Sequence, residues 1–139
     1  MKKTPLKRKT GLRKKGKQKI SVLKRKLWEQ FSLFIRRRDN YTCFICGRKG
    51  DGGAMHAGHF IPKSIGGIAL YFSEDNVHAC CYHCNINLGG NLYEYGQKLG
   101  KEMCDKLYAI KNQNGNKWTE QDYLTKIEHY KKLNETINS

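Results

Sequence analysis

The first 26 residues of this 139-residue chain contain no aspartate or glutamate, although they hold 13 of its 27 lysines and arginines. A block with no acidic partners and few apolar side chains cannot bury enough surface to offset its chain entropy, so it is expected to be disordered when alone. Long apolar runs are missing as well. None approaches the ~18–20 residues that span a bilayer, and no apolar segment of a signal peptide follows the first residues. The basic block has neither an amphipathic apolar face nor a lipidation signal, so no membrane partner is expected. These absences point to a soluble, cytoplasmic protein whose arm meets a polyanion, and nucleic acid is the polyanion that fits. Internal repeats are absent too.

Beyond residue 26, 14 basic and 12 acidic residues leave the body nearly neutral. The length allows one small domain with appendages, a size at which a metal staple adds useful stability. The expected organisation is a basic flexible arm at 1–19, a zinc-bound core with flanking helices at 20–111, and a C-terminal helix at 112–139. Taken together the elements read as α+β.

A disulfide framework does not suit six cysteines in a reducing compartment, and four of the six have metal-ligand spacing. Cys43/Cys46 and Cys81/Cys84 form two Cys-x-x-Cys pairs, which supply the four thiolates of a tetrahedral structural zinc site. Thirty-four residues separate Cys46 from Cys81, enough for a strand hairpin between the knuckles. Cys80 competes with Cys81, but only Cys81 has the two-residue spacing to Cys84. Cys80 and Cys104 therefore read as buried small residues, and His83 as an imidazole outside the ligand set.

Apolar residues at Ile20, Leu23, Leu27, Trp28, Phe31, Phe34 and Ile35 have the 3.6-residue period of a helix, closed at its negative dipole end by Arg36, Arg37 and Arg38. Residues 54–61 read as a strand ending at Pro62, 63–67 as a loop, and 68–72 as the second strand of a hairpin. Residues 81–88 suit a short helix stopped by Gly89 and Gly90. One further helix is expected along Leu92, Tyr95, Leu99, Met103, Leu107 and Ile110, followed by a turn at 112–117. Thr119 and Asp122 form a capping box opening a last helix, with Tyr123, Ile127, Tyr130, Leu133 and Ile137 along one side.

Hydrolysis of a phosphodiester needs a base to activate water, a cation to stabilise charge, and a group that holds the base. His59, followed by the stiff Phe60-Ile61-Pro62, together with Asn76 and Asn85, could supply these parts. The sequence Gly58-His59-Phe60-Ile61-Pro62, Asn76 five residues before Cys81, and the flanking cysteine pairs resemble the ββα-metal core of HNH (His-Me finger) endonucleases. Leu27-Trp28, Ile35-Arg36, Cys46-Gly47-Arg48, Ala57-Gly58-His59-Phe60, Asn76-Val77-His78-Ala79, Cys84-Asn85, Gly90-Asn91 and Tyr95 are similar to the phage NinG (Rap) recombination proteins, over roughly residues 27–107.

The HNH resemblance implies that His59 is the general base, that Asn76 holds the loop and orients it, and that Asn85 is a ligand of a catalytic Mg²⁺ or Mn²⁺. Gly58 departs from the pattern, because HNH enzymes usually have an acid or a histidine there as a second metal ligand. His56, two residues earlier on the same strand face, is one substitute and a water is another. The implied activity is metal-dependent DNA cleavage in phage recombination or replication within the host cytoplasm. NinG resemblance implies branched DNA such as a Holliday junction as the substrate, which a two-fold homodimer would suit. A non-catalytic zinc-stapled junction binder on the same scaffold is the competing reading.

Candidate DNA contacts are Lys7, Arg8, Lys9, Arg13, Lys14 and Lys15 in the arm, and Arg36, Arg37, Lys63 and His78 in the body. Deleting residues 1–18 should weaken DNA binding and flatten its dependence on salt concentration, because fewer counterions are released on binding. An unchanged salt slope would remove the arm from the contact surface.

Overall fold

Helix α1, Ile20–Arg38, forms where the apolar stripe requires it, burying Leu23, Leu27, Phe31, Phe34 and Ile35. The computed structural model describes residues 19–50, 55–113 and 117–137. The arm contacts expected at positions 7–15, and the expected disorder of residues 1–18, lie outside these. Asn40 and Tyr41 adopt left-handed backbone after α1, turning the chain into a knuckle closed by Cys43 N–H donating to Arg48 O (2.8 Å) and Gly47 N–H donating to Cys43 O (2.9 Å).

Strands β1, Met55–His59, and β2, Val77–Cys81, pair antiparallel, with Met55 opposite Cys81, Gly58 opposite His78 and His59 opposite Val77. The second strand therefore lies further along the chain than residues 68–72, where the sequence places it. Residues 68–72 instead fall largely in α2, Lys63–Tyr71, which also takes up the expected loop at 63–67 and is broken at Gly67 (φ 74°, ψ 176°). The apolar run there has the length of a strand, but the glycine break folds it back so that Leu70 is fully buried in the core.

After β2 comes a short π-helical turn, His83–Asn87, ending at Gly89 and Gly90, both in positive φ. The expected single helix along residues 92–110 is two helices, α3 (Leu92–Leu99) and α4 (Lys101–Lys111), separated by Gly100 at φ 86°, ψ 156°. A continuous apolar stripe survives this bend because both halves face the same core. Helix α5, Glu120–Ile137, opens with the reciprocal cap: Thr119 N–H donates to Asp122 Oδ2 (2.7 Å) and Asp122 N–H to Thr119 Oγ1 (3.3 Å).

Two apolar clusters result. One gathers β2, the cysteine knuckles, α3 and α4 around Tyr95, Leu107 and Leu70. The other joins α1 to α5 through Phe31, Phe34, Phe72, Tyr123 and Tyr130. Helix α5 buries Asn134 rather than Ile137, since the Asn134 amide donates to Gln30 O (2.9 Å) on α1. Arg37 completes this seam by donating to Asn134 O (2.9 Å). No helix among the described residues is long and apolar enough to cross a membrane.

The loop between the strands is tied by Asn76, fully buried. Its Oδ1 accepts the Ile61 N–H (2.8 Å), and its Nδ2 donates to Ile61 O (3.1 Å) and Leu70 O (3.0 Å). Replacing it strands three buried backbone groups, each costing about 1–3 kcal/mol when unpaired. Asn76→Ala should therefore lose roughly 3 kcal/mol or more of stability in urea denaturation, and a loss below about 1 kcal/mol would show that the loop holds without it.

Candidate metal centre and hydrolytic site

The two knuckles meet. The sulfurs of Cys43, Cys46, Cys81 and Cys84 all lie within 4.8 Å of one another, and Cys46 Sγ is 3.7 Å from Cys81 Sγ. Zinc–sulfur bonds of ~2.3 Å in a tetrahedron place the sulfurs ~3.8 Å apart, so the cluster has the dimensions of a structural zinc site. Three of these cysteines are buried and Cys46 is exposed. Burial raises the Cys43 thiol, but the backbone N–H groups of Cys46, Cys81 and Ile45 outweigh it and bring it to about 7. Cys84 goes the other way: burial pushes it up to about 12, opposed by the Asn91 amide and reinforced by the sulfurs of Cys81 and Cys46. Four thiols this close ionise together only around a cation, so the donor set fits a structural metal such as zinc.

Cys80 stays outside the cluster. It is 1% exposed, its sulfur lies 3.4 Å from His78 O, and burial pushes its thiol well above the usual range. His83 is exposed, 3.3 Å from the Asn87 amide. Cys104 faces Gly96 O across 3.6 Å.

At the end of β1, His59 Nε2 lies 2.8 Å from Tyr71 O. A carbonyl only accepts, so the ring proton sits on Nε2 and the lone pair is left on Nδ1. Trp28 of α1 stacks on the imidazole, centroids 5.2 Å apart and planes 16° from parallel. Burial depresses the His59 pKa to about 4; the Tyr71 hydrogen bond opposes this and the Lys63 ammonium adds to it. His59 is therefore neutral at pH 7. Asn76 does not touch the ring. Instead it fixes Ile61 and Leu70, and so the carbonyl of the adjacent Tyr71.

His56 and Asn85 come together, the Asn85 amide 3.0 Å from His56 Nδ1. They open onto a groove of about 300 Å³ that is also lined by Trp28, Ser32, Arg36 and Lys63. Lys63 Nζ hangs 5.3 Å over the Trp28 ring. Gly58 lies beside this pair. A Cβ there would sit 2.7 Å from Cys80 Sγ and 3.2 Å from Asn85 Oδ1, so Cys80 takes the room that a side chain at position 58 would need.

The remaining body residues expected to contact DNA divide. Arg36 and Lys63 line the groove. Arg37 turns to α5. His78 stacks on Phe44 (4.0 Å) with Nδ1 2.9 Å from the Tyr95 hydroxyl, and burial depresses its pKa to about 4; it is a packed strand histidine. Three contributors carry no signal in the spacing: Trp28, which reads as part of a core stripe; Tyr95, whose hydroxyl donates to Gly58 O at 2.9 Å; and Asp39, which accepts the Ala79 N–H at 2.8 Å and pairs with Arg38. A helical stripe gives the buried face of Trp28 but not its partner 31 residues away.

Fold and site thus define a small α+β protein built around a cluster of four cysteines with the dimensions of a metal site. It belongs to the NinG family, since the model for the bacteriophage lambda NinG protein matches residues 2–138. The ninG protein of Escherichia phage lambda is 30% identical over 133 residues, covering 88% of this chain and 63% of that protein. Those of Escherichia phage 933W and Salmonella phage P22 are 29% and 27% identical, each covering 88% of this chain and 64% of the relative. The chain thus spans a little under two thirds of these relatives' length. No solved structure matches it.

Cys43→Ser should lose bound metal and leave the core unfolded, since a structural zinc contributes folding free energy directly. Cys80→Ser should keep both the metal and a cooperative melt. Wild-type metal content in Cys43→Ser would show that the ligands are others.

Proposed function

We propose that this protein is a metal-dependent endonuclease of the HNH type, acting on DNA, branched DNA foremost, in phage recombination or replication. The observation that carries the reading is the held, neutral His59: one nitrogen is fixed on Tyr71 O, the other keeps its lone pair, and Trp28, stacked on its ring, also lines a groove with Arg36 and Lys63. In this reading His59 Nδ1 takes the proton of the attacking water, Asn76 keeps the ring's support in place, and Lys63 and Arg36 hold the phosphate.

His56 and Asn85 would hold the divalent cation. One imidazole nitrogen and one carboxamide oxygen, with no described carboxylate beside them, fit a Mg²⁺ or Mn²⁺ that keeps much of its water and shares the substrate phosphate. When bound, such an ion supplies charge neutralisation at the phosphate and the leaving oxygen. The second reading, a zinc-stapled junction binder without catalysis, is favoured by one observation: Cys80 closes the position at which HNH enzymes carry a further ligand.

Linear, nicked and four-way-junction DNA incubated with Mg²⁺ or Mn²⁺ separates the two. Cleavage should appear and fall by about 10²–10⁴-fold in His59→Ala, the usual contribution of a general base. Junction binding with no His59-dependent cleavage of any substrate would establish the binder. The acid limb gives a further check. A base with its pKa lowered to about 4 is unprotonated well below the ordinary histidine value of 6.5, so the rate should hold as the pH drops from neutrality through that value. A loss centred near 6.5 would contradict the buried, supported ring.

A further inference from the structure

Trp28, Ser32 and Arg36 are spaced four residues apart on α1 and so share one face of the helix. That face lines the groove together with His56, Lys63 and Asn85, and Lys63 Nζ lies 5.3 Å from the Trp28 ring centroid. None of the described residues lining the groove is acidic, and the two charged ones, Arg36 and Lys63, are both cationic. Its volume of about 300 Å³ is at the small end of ligand sites (~300–1,000 Å³). That suits one sugar-phosphate unit better than the full width of a duplex. The Trp28 indole N–H has no hydrogen-bond partner among the described residues, while its ring is pinned against His59.

We infer that α1 is a nucleic-acid-binding wall: the groove between it and the β1 edge holds one sugar-phosphate unit of a single strand. Arg36 and Lys63 hold the phosphate and Trp28 lies against the sugar or base. This rests on the nuclease reading for the choice of nucleic acid, and adds to it a strand path along α1 that the basic arm does not define. It also gives α1 a task besides packing on α5. The helix carries both the ring that steadies the base and the groups that seat the strand beside it.

The chain has two tryptophans, and Trp118 stacks on Phe72 (5.5 Å) rather than lining the groove. In a full-length Trp118→Phe background, titrating a single-stranded oligothymidylate should quench the Trp28 fluorescence to saturation. Should that background melt too low for the assay, Trp28→Phe in the native chain serves in its place and should abolish the ligand-dependent quench. Ser32→Glu should weaken oligothymidylate binding about tenfold or more by setting a carboxylate against the phosphate, while Thr125→Glu, the same charge change on exposed α5, should alter it less than about twofold.

An unquenched Trp28, or equal effects of the two glutamates, overturns the proposal and leaves only diffuse electrostatic attraction. The nuclease reading fails separately. A chain that binds as described but cleaves nothing sinks that reading and not this one, and cleavage undiminished by Ser32→Glu does the reverse.

Discussion

Four sulfur atoms held close together are the constraint on which the rest depends. Neither knuckle is a stable element by itself: the first is a turn closed by two hydrogen bonds, and the second is the end of a strand running into an irregular π-helical turn. Bringing them within 4.8 Å costs the chain the entropy of closing a long loop, and as thiolates they would repel. A cation shared by the four sulfurs would turn that repulsion into a tie between the knuckles. The first knuckle is also tied directly to β2, where Phe44 N–H donates to Ala79 O at 2.8 Å, and Asn85 follows directly after Cys84, the last of the four cysteines.

From this anchor the geometry passes to His59 through hydrogen bonds between side chains and backbone. Asn76 holds Ile61 and Leu70, Leu70 fixes its neighbour Tyr71, and the Tyr71 carbonyl holds the imidazole. The first step uses the buried Asn76 amide and the last the part-buried Tyr71 carbonyl. On its other side α1 supplies the Trp28 stack. The His59 environment thus depends on both apolar clusters, and α1 and α5 belong to the architecture of the site as much as the strands do.

What the sequence shows most clearly is what depends on fixed local spacing. The cysteine pairs, the α1 stripe, the Thr119/Asp122 cap and the offsets linking Asn76 and Asn85 to the cysteines are all covalent rulers, and the structure keeps each. Pairing between distant segments was less legible. Residues 68–72 look like a strand because Ile68, Leu70 and Phe72 alternate, but Gly67 reverses the chain and the Asn76 carboxamide takes the Leu70 carbonyl that a strand would have offered a neighbour. Gly100 likewise divides a stripe that looks continuous, because periodicity records which residues are buried and not whether the axis bends. The contacts of Trp28 with His59 and of Asp39 with Ala79 have no ruler at all: they exist only once the helix has docked.

Positions 58 and 80 are diagonal neighbours across the strand pair, and their side chains compete for a single volume. An acid cannot enter at 58 while the sulfur of Cys80 occupies that space, and removing the sulfur first opens a void in a core position that is 1% exposed. A side chain at 58 and the thiol at 80 are therefore separate packing solutions. Any mutational path between them has an order: the thiol must leave before the carboxylate arrives, and the intermediate bears the cost of the hole.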